Sequence, residues 1–232
     1  MNIALILAGG TGTRIGGEIP KQYVEIAGKP VICYCLKTFA LHPRVDAIQI
    51  VADISWHAYL KQWIEDEAVL EKWKGFSRPG KNRQFSILNA LEDACQYASE
   101  EDWVIVHDAA RPFLTNDFIT ESLIKANGHD GVLPVLPMKD TVYFSQNGSS
   151  VSSLLNRNNI FAGQAPEVFK FGKYYEANKS LVPDEILKIN GSTEPAILAG
   201  MDIVMIDGDE ENFKITTKKD LERFRQKIEG MK

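Results

Sequence analysis

Short runs of apolar, β-branched residues alternate along this chain with longer stretches in which apolar positions recur at helical spacing. That alternation predicts βαβ units and a largely parallel sheet. Residues 3–7 read as the first strand, followed at once by a glycine-rich loop. Pro30 can open a helix through Val31-Ile32-Cys33-Tyr34-Cys35-Leu36, because a first-turn residue leaves its N–H unpaired in any case. Residues 48–51 form the next predicted strand, 57–73 a helix, and 83–98 a helix whose apolar face carries Ile87, Leu91, Ala94, Cys95 and Ala98. Residues 104–106 predict a short buried strand running into His107-Asp108. A helix over 118–126, a strand over 131–136, a strand over 202–206 and a closing helix over 218–229 complete the alternation.

Between residues 139 and 161 the pattern changes. Thr141-Val142-Tyr143-Phe144, a turn at Gln146-Asn147-Gly148-Ser149 and a second extended stretch predict a β-arm inserted in the sheet. No internal repeat, low-complexity linker or second domain interrupts residues 1–232, so one domain is expected.

Composition narrows the partners. The 232 residues carry 26 Lys plus Arg against 31 Asp plus Glu, a formal charge of −5, which argues against nucleic acid or an anionic membrane as the main partner. A polyanionic substrate would need a local basic pocket. With 44% hydrophobic and 25% charged residues the chain has the balance of an ordinary globular protein. No apolar run approaches the ~18 residues that span a bilayer, and the first residues lack the basic start of a signal peptide, so a cytoplasmic location is expected. Cys33, Cys35 and Cys95 lack C-x-x-C spacing and are expected as buried thiols.

The chemistry concentrates in the first loop, Leu7-Ala8-Gly9-Gly10-Thr11-Gly12-Thr13-Arg14-Ile15-Gly16-Gly17. It follows a strand, where open α/β sheets place ligands. Closely spaced glycines let backbone N–H groups approach anionic oxygens, and Arg14 adds a planar fork of donors. It is not a Walker A loop, since no Gly-Lys-Ser/Thr follows. A dinucleotide-binding oxidoreductase is disfavoured by the absence of an acidic residue about 20 positions on, at a strand end.

Leu-Ala-Gly-Gly-x-Gly-x-Arg followed by Pro20-Lys21-Gln22 resembles the sugar and polyol nucleotidyltransferases. Val106-His107-Asp108-Ala109-Ala110-Arg111-Pro112-Phe113 narrows the likeness to the cytidylyltransferases that act on 2-C-methyl-D-erythritol 4-phosphate or D-ribitol 5-phosphate. Gly80-Lys81-Asn82-Arg83 with Ser86, Lys139-Asp140-Thr141, Arg157, Gly163-Gln164-Ala165-Pro166 and Asn212-Phe213-Lys214-Ile215-Thr216 follow in order over essentially the whole chain.

The resemblance implies an α/β fold: a Rossmann-like, mostly parallel sheet flanked by helices, of the glycosyltransferase-A-like nucleotidyltransferase kind, with the arm used for homodimerisation. It implies attack of a phosphate monoester on the α-phosphorus of CTP, releasing pyrophosphate and a CDP-polyol, with Mg²⁺ or another divalent cation. Arg14, Lys21 and Lys214 fall at the catalytic positions, Arg14 and Lys21 holding the triphosphate and Lys214 flanking the α-phosphate from the other side. Leu7, Ala8, Gly9, Gly10, Gly12, Gly80, Arg83, Ser86, Asp108 and Ala109 fall at nucleotide-binding positions; Asp108 is also the metal candidate or a partner of the ribose. Thr141 and Arg157 on the arm, with Ser192, Thr193 and Arg111, fall on the acceptor side, Arg111 being either phosphate-directed or structural. His107 is expected only to pack.

Two departures touch the acceptor side. Asn190-Gly191-Ser192-Thr193-Glu194-Pro195-Ala196 lacks the Asp of the family's Thr-Asp-Glu or Thr-Asp-Ala segment, and Glu167 replaces the usual glutamine after Ala165-Pro166. The Ser-Thr-Glu segment and the Leu-Ala-Gly-Gly start favour ribitol 5-phosphate or a related polyol phosphate, with methylerythritol phosphate the alternative. A catalytically silent nucleotide-binding homologue is disfavoured by the presence of Arg14, Lys21, Asp108 and Lys214 together.

Overall fold

The computed structural model of the chain describes residues 1–11, 19–65 and 67–230, with the side chains of Glu67 and Ala68 excepted. Its elements run β1 (Asn2–Leu7), β2 (Glu25–Ile26), β3 (Lys29–Pro30), α1 (Val31–Leu41), β4 (Ala47–Val51), α2 (His57–Ile64), α3 (Glu67–Lys72), β5 (Trp73–Ser77), α4 (Arg83–Ala94), β6 (Trp103–Asp108) and α5 (Asn116–Lys125). There follow β7 (Gly131–Pro137), β8 (Val142–Phe144), β9 (Ser153–Leu155), β10 (Phe161–Gly163), β11 (Glu167–Lys170), α6 (Phe171–Lys179), α7 (Glu194–Leu198), β12 (Ile203–Asp207) and α8 (Lys218–Gly230).

The central sheet has the order β10-β7-β11-β6-β1-β4-β5, with β12 also paired to β7. Strands β6, β1, β4 and β5 are mutually parallel, as are β7 and β12; β10 and β11 run antiparallel to β7, and β11 also to β6. Both faces are covered, which is why β1, β4 and β6 read as nearly continuous apolar runs. Ala4, Ile6, Ile48, Ile50 and Ile105 pack with Ile32, Leu36, Phe39 and Leu60 from α1 and α2 on one side. Ile3, Leu5, Val104 and Val106 pack with Ile87, Leu91 and Tyr174 from α4 and α6 on the other.

Several boundaries differ from the sequence expectation. The predicted helix over 57–73 ends at Ile64, resumes at Glu67 and gives way at Trp73 to β5, the sheet's edge strand beside β4. Trp73 and Phe76 are pulled into the sheet by mutual ring packing and by pairing to β4, a tertiary gain that helical spacing does not report. The helix over 83–98 stops at Ala94, so Cys95 is exposed while Cys33 and Cys35 are buried. β11, unforeseen, enters antiparallel between β6 and β7. The arm is the hairpin β8–β9, a two-stranded sheet apart from the main one.

Candidate functional site

Register sets the position of the site. Leu7 pairs with Val51 on one side and Asp108 on the other, so three parallel strands end at one level. A cleft of about 430 Å³ opens above those ends, lined by Leu7, Gly9, Gly10, Thr11, Lys21, Gln22, Val51, Gly80 to Arg83, Ser86, Asp108, Ala110, Lys214 and Thr216. That volume suits a nucleotide-sized ligand. Among the described residues Lys21, Lys81, Arg83 and Lys214 face it against one carboxylate, Asp108, so this acidic protein carries a local cationic pocket.

The described start of the glycine loop is tied down by two side chains. Gln22 Nε2 donates to the carbonyls of Ala8, at 2.6 Å, and Gly10, at 2.7 Å, and the Tyr23 hydroxyl donates to Ala8 at 2.9 Å. Tyr23 itself is stacked on Trp56. These contacts engage the Ala8 and Gly10 carbonyls, whose lone pairs would otherwise repel an anion beside the loop. Gly9 lies so close to Pro79 that a Cβ would stand 2.8 Å from that ring. Gly12 and Arg14 lie outside the described residues.

Opposite, the 78–86 loop turns into α4. Asn82 caps the helix, its Oδ1 accepting from Phe85 N at 2.8 Å. Gly80 donates its N–H to Ser86 Oγ at 3.0 Å and sits where a Cβ would collide with Phe85, 2.3 Å away. Any other residue at 80 would push the loop off the helix. Arg83, the first residue of α4, reaches Asp108 Oδ1 at 3.2 Å.

Asp108 is the electrostatic hub. It is 8% exposed, and Lys214 Nζ at 2.9 Å and Arg111 Nε at 3.5 Å approach its second oxygen. Burial alone would raise its pKa, but Arg83, Lys214 and Arg111 more than offset that and hold the carboxyl well below the ordinary range. Removing one member of such a set leaves buried charge uncompensated. His107, fully buried, sits with its ring edge against Phe39 and its Nε2 3.0 Å from the Arg111 carbonyl; burial lowers its pKa to about 4, as suits a packing residue. Ala109 is buried with its N–H on the Leu7 carbonyl, and the neighbouring Ala110 lines the cleft in its place.

The acceptor-side candidates are dispersed. Arg111 is an internal strut, donating from Nη1 to the Asn212 carbonyl at 2.8 Å as well as pairing with Asp108. Ser192 and Thr193 do not line the cleft: both hydroxyls donate to Glu167, whose buried carboxylate needs those donors. Burial pushes the Glu167 pKa up, against the opposing pull of Arg83 and of the Ser192 hydrogen bond. Thr141 and Arg157 stand exposed on the arm, Arg157 donating to the Lys139 carbonyl at 2.8 Å.

For a metal, the donor set is sparse. Among the described residues no three His, Cys, Asp or Glu side chains are grouped to hold an ion. The one carboxylate of the nucleotide-sized cleft, Asp108, already meets Arg83, Arg111 and Lys214, so it fits a Mg²⁺ only as a minor ligand to an ion that arrives with substrate phosphates and keeps most of its waters.

Comparison with known proteins places the chain among relatives over nearly its whole length. The family model for IspD, 2-C-methyl-D-erythritol 4-phosphate cytidylyltransferase, matches residues 2–228. The chain is 31% identical to the ribitol-5-phosphate cytidylyltransferase of Streptococcus pneumoniae serotype 2 (strain D39 / NCTC 7466), over 99% of both chains. It is 32% identical to the 2-C-methyl-D-erythritol 4-phosphate cytidylyltransferase of Geotalea uraniireducens (strain Rf4), over 94% of this chain and 92% of the relative. A crystal structure of 4-diphosphocytidyl-2C-methyl-D-erythritol synthase superposes with a TM-score of 0.80 at 25% identity, covering 98% of each chain.

Proposed function

The chain belongs to the IspD family and is a cytidylyltransferase, and we propose that it transfers CMP from CTP to D-ribitol 5-phosphate or a related polyol phosphate, as a homodimer in the cytoplasm, from the cleft above β1, β4 and β6. Residues 1–232 act as one nucleotidyltransferase domain. The observation that carries the site assignment is the convergence of Lys21 and Lys214, from opposite ends of the chain, on one cationic cleft around Asp108.

Both reactants are anionic, so the chain's own contribution is charge neutralisation and in-line positioning. Lys21 and the N–H groups of the glycine loop hold the triphosphate, together with Arg14. Lys214 flanks the α-phosphate from the far wall and gains most as negative charge accumulates on the five-coordinate phosphorus. The Gly80–Ser86 loop, rigid because Gly80 is packed on α4 and because the Ser86 hydroxyl joins Gly80 N to the Asn82 carbonyl, offers backbone groups and Ser86 Oγ, as an acceptor, to the base and ribose. Asp108 keeps Lys214 and Arg83 in place before substrate arrives; it would also hold a divalent cation, which supplies further neutralisation of the triphosphate.

The arm supports the dimer. Tyr143, Phe144, Val151 and Leu154 are exposed on and beside its hairpin, an apolar surface that a second copy would cover, with Thr141 and Arg157 reaching the partner's acceptor. Methylerythritol phosphate is the second reading, since relatives bearing either name are equally similar. Pyrophosphate release with CTP, ATP, GTP and UTP against a panel of polyol phosphates tests the proposal. CTP with ribitol 5-phosphate should turn over fastest, and activity should vanish in chelator. Equal use of purine triphosphates would show the Gly80–Ser86 loop to be misassigned, and persistent activity in chelator would remove the cation.

A further inference from the structure

Lys214 sits in a segment without helix or strand, between the end of β12 at Asp207 and the start of α8 at Lys218. A flexible lysine on such a segment is poorly suited to a transition-state contact, because misplacement of even 1 Å can cost on the order of 10² in rate. Something must hold the backbone on both sides of it. Behind Lys214, Ile215 N donates to the Ala110 carbonyl at 2.8 Å. Ahead of it the restraint is made of side chains.

Gln164 is 4% exposed and Asn212 fully buried, and neither lines the cleft. The Gln164 amide accepts from Asp209 N at 2.9 Å and donates to the carbonyls of Asp209, at 2.8 Å, and Asn212, at 3.3 Å. In return Asn212 Nδ2 donates to the Ala165 carbonyl at 2.8 Å, and the Asn212 carbonyl also receives Arg111. Each side chain thus bonds the backbone of the other's segment. Gln164 is anchored in the sheet, its own N–H on the Pro134 carbonyl at 2.8 Å. Gly208 leaves room for the amide, since a Cβ there would come within 3.0 Å of Gln164 Oε1.

An amide is the one side-chain group that can serve both ends of this lock. It offers an acceptor and two donors at one planar head, whereas a carboxylate accepts only and an aliphatic does neither. We propose that Gln164 and Asn212 form a reciprocal lock that positions Lys214: they are positioning residues for the transfer reaction, acting through the lysine's backbone without touching substrate. The inference rests on the assignment of Lys214 to the α-phosphate.

A double-mutant cycle tests it. Gln164→Met and Gln164→Glu are each made alone and combined with Lys214→Ala, and kcat and KM for CTP are measured on proteins shown by circular dichroism to be folded. Glu retains acceptance from Asp209 N and loses donation to both carbonyls, so it carries the test if the Met variant fails to fold. The expected result is a kcat loss of roughly 10- to 100-fold with KM for CTP within about twofold, and no further loss when either change is added to Lys214→Ala. If Gln164 changes lower activity by the same factor whether or not Lys214 is present, the lock does not act through the lysine and the proposal fails. A folded Gln164→Glu protein with full turnover also overturns it. Normal turnover of Lys214→Ala by itself would instead bring down the assignment of the lysine, and the lock's role with it.

Discussion

The cleft and the arm are built on opposite plans. Around the cleft, polar groups are held more than once: Gln22 bonds two loop carbonyls, Asp108 meets three cations, and Gln164 makes three hydrogen bonds to one segment. The arm's two strands of three residues pair only with each other, and the hairpin is tied at its base by Arg157 to the Lys139 carbonyl and by the Lys139–Glu210 ion pair. Its apolar residues face outward. A lone two-stranded hairpin is marginal in water. Among the described residues, then, the polar groups of the cleft are tied within one chain, whereas the apolar residues of the arm stay exposed on it.

The largest effect is expected at the two lysines of the cleft. A positioned cation acting on developing charge is typically worth ~3–4 kcal/mol, or roughly 10²–10³ in rate. Lys21→Ala and Lys214→Ala should each lower kcat by that order while changing KM for CTP far less, and arginine at either position should restore only part of the loss. Steady-state kinetics on folded variants decides this; near-normal turnover would return the lysine to an ordinary surface role.

A smaller effect is expected on the arm. Arg157→Ala should raise KM for the polyol phosphate about tenfold, the scale of one lost charge-assisted hydrogen bond, and leave CTP affinity near normal. Isothermal titration with CTP alone checks the second half, and a loss there would move Arg157 to the nucleotide side. Light scattering should report a dimer at working concentration. An active monomer would show that the arm's apolar face has another use.

The smallest effect sharpens the contrast on the far flank of Lys214. Asp220 accepts from the N–H and hydroxyl groups of both Thr216 and Thr217. Partial burial opposes ionisation, but those hydrogen bonds lower its pKa from 3.8 to about 2. A depressed carboxyl contributes stability that is present above the unfolded value and is lost as pH falls from about 4 toward 2. After screening by solvent the contribution is about 1 kcal/mol. Urea midpoints from pH 5 to pH 2 should therefore converge for the wild type and Asp220→Ala at the acid end; a constant gap would place the effect elsewhere than in the titration.

The strands β1, β4, β6, β7 and β12 and the helices α1, α5 and α8 were legible from local pattern, because each buries its face at a period that the sequence carries, and the exposed hairpin was legible from its turn residues. The glycine loop, Lys21, Asp108 and Lys214 were legible as motifs, and the cleft does bring the described ones together. The chain by itself thus determined a doubly covered sheet with a cationic cleft at its carboxyl edge. Tertiary structure alone decided that residues 73–77 are a strand, that β11 slips antiparallel between β6 and β7, and that Ser192 and Thr193 turn onto Glu167. It also decided that Arg111 braces Asp108 and that Gln164 and Asn212 grip the segment carrying Lys214. Those outcomes depend on which polar groups meet after the sheet has closed, across separations of 25 residues for Glu167 with Ser192 and 48 for Gln164 with Asn212. A buried donor or acceptor must find a partner wherever the fold delivers one, and no local period records where that is.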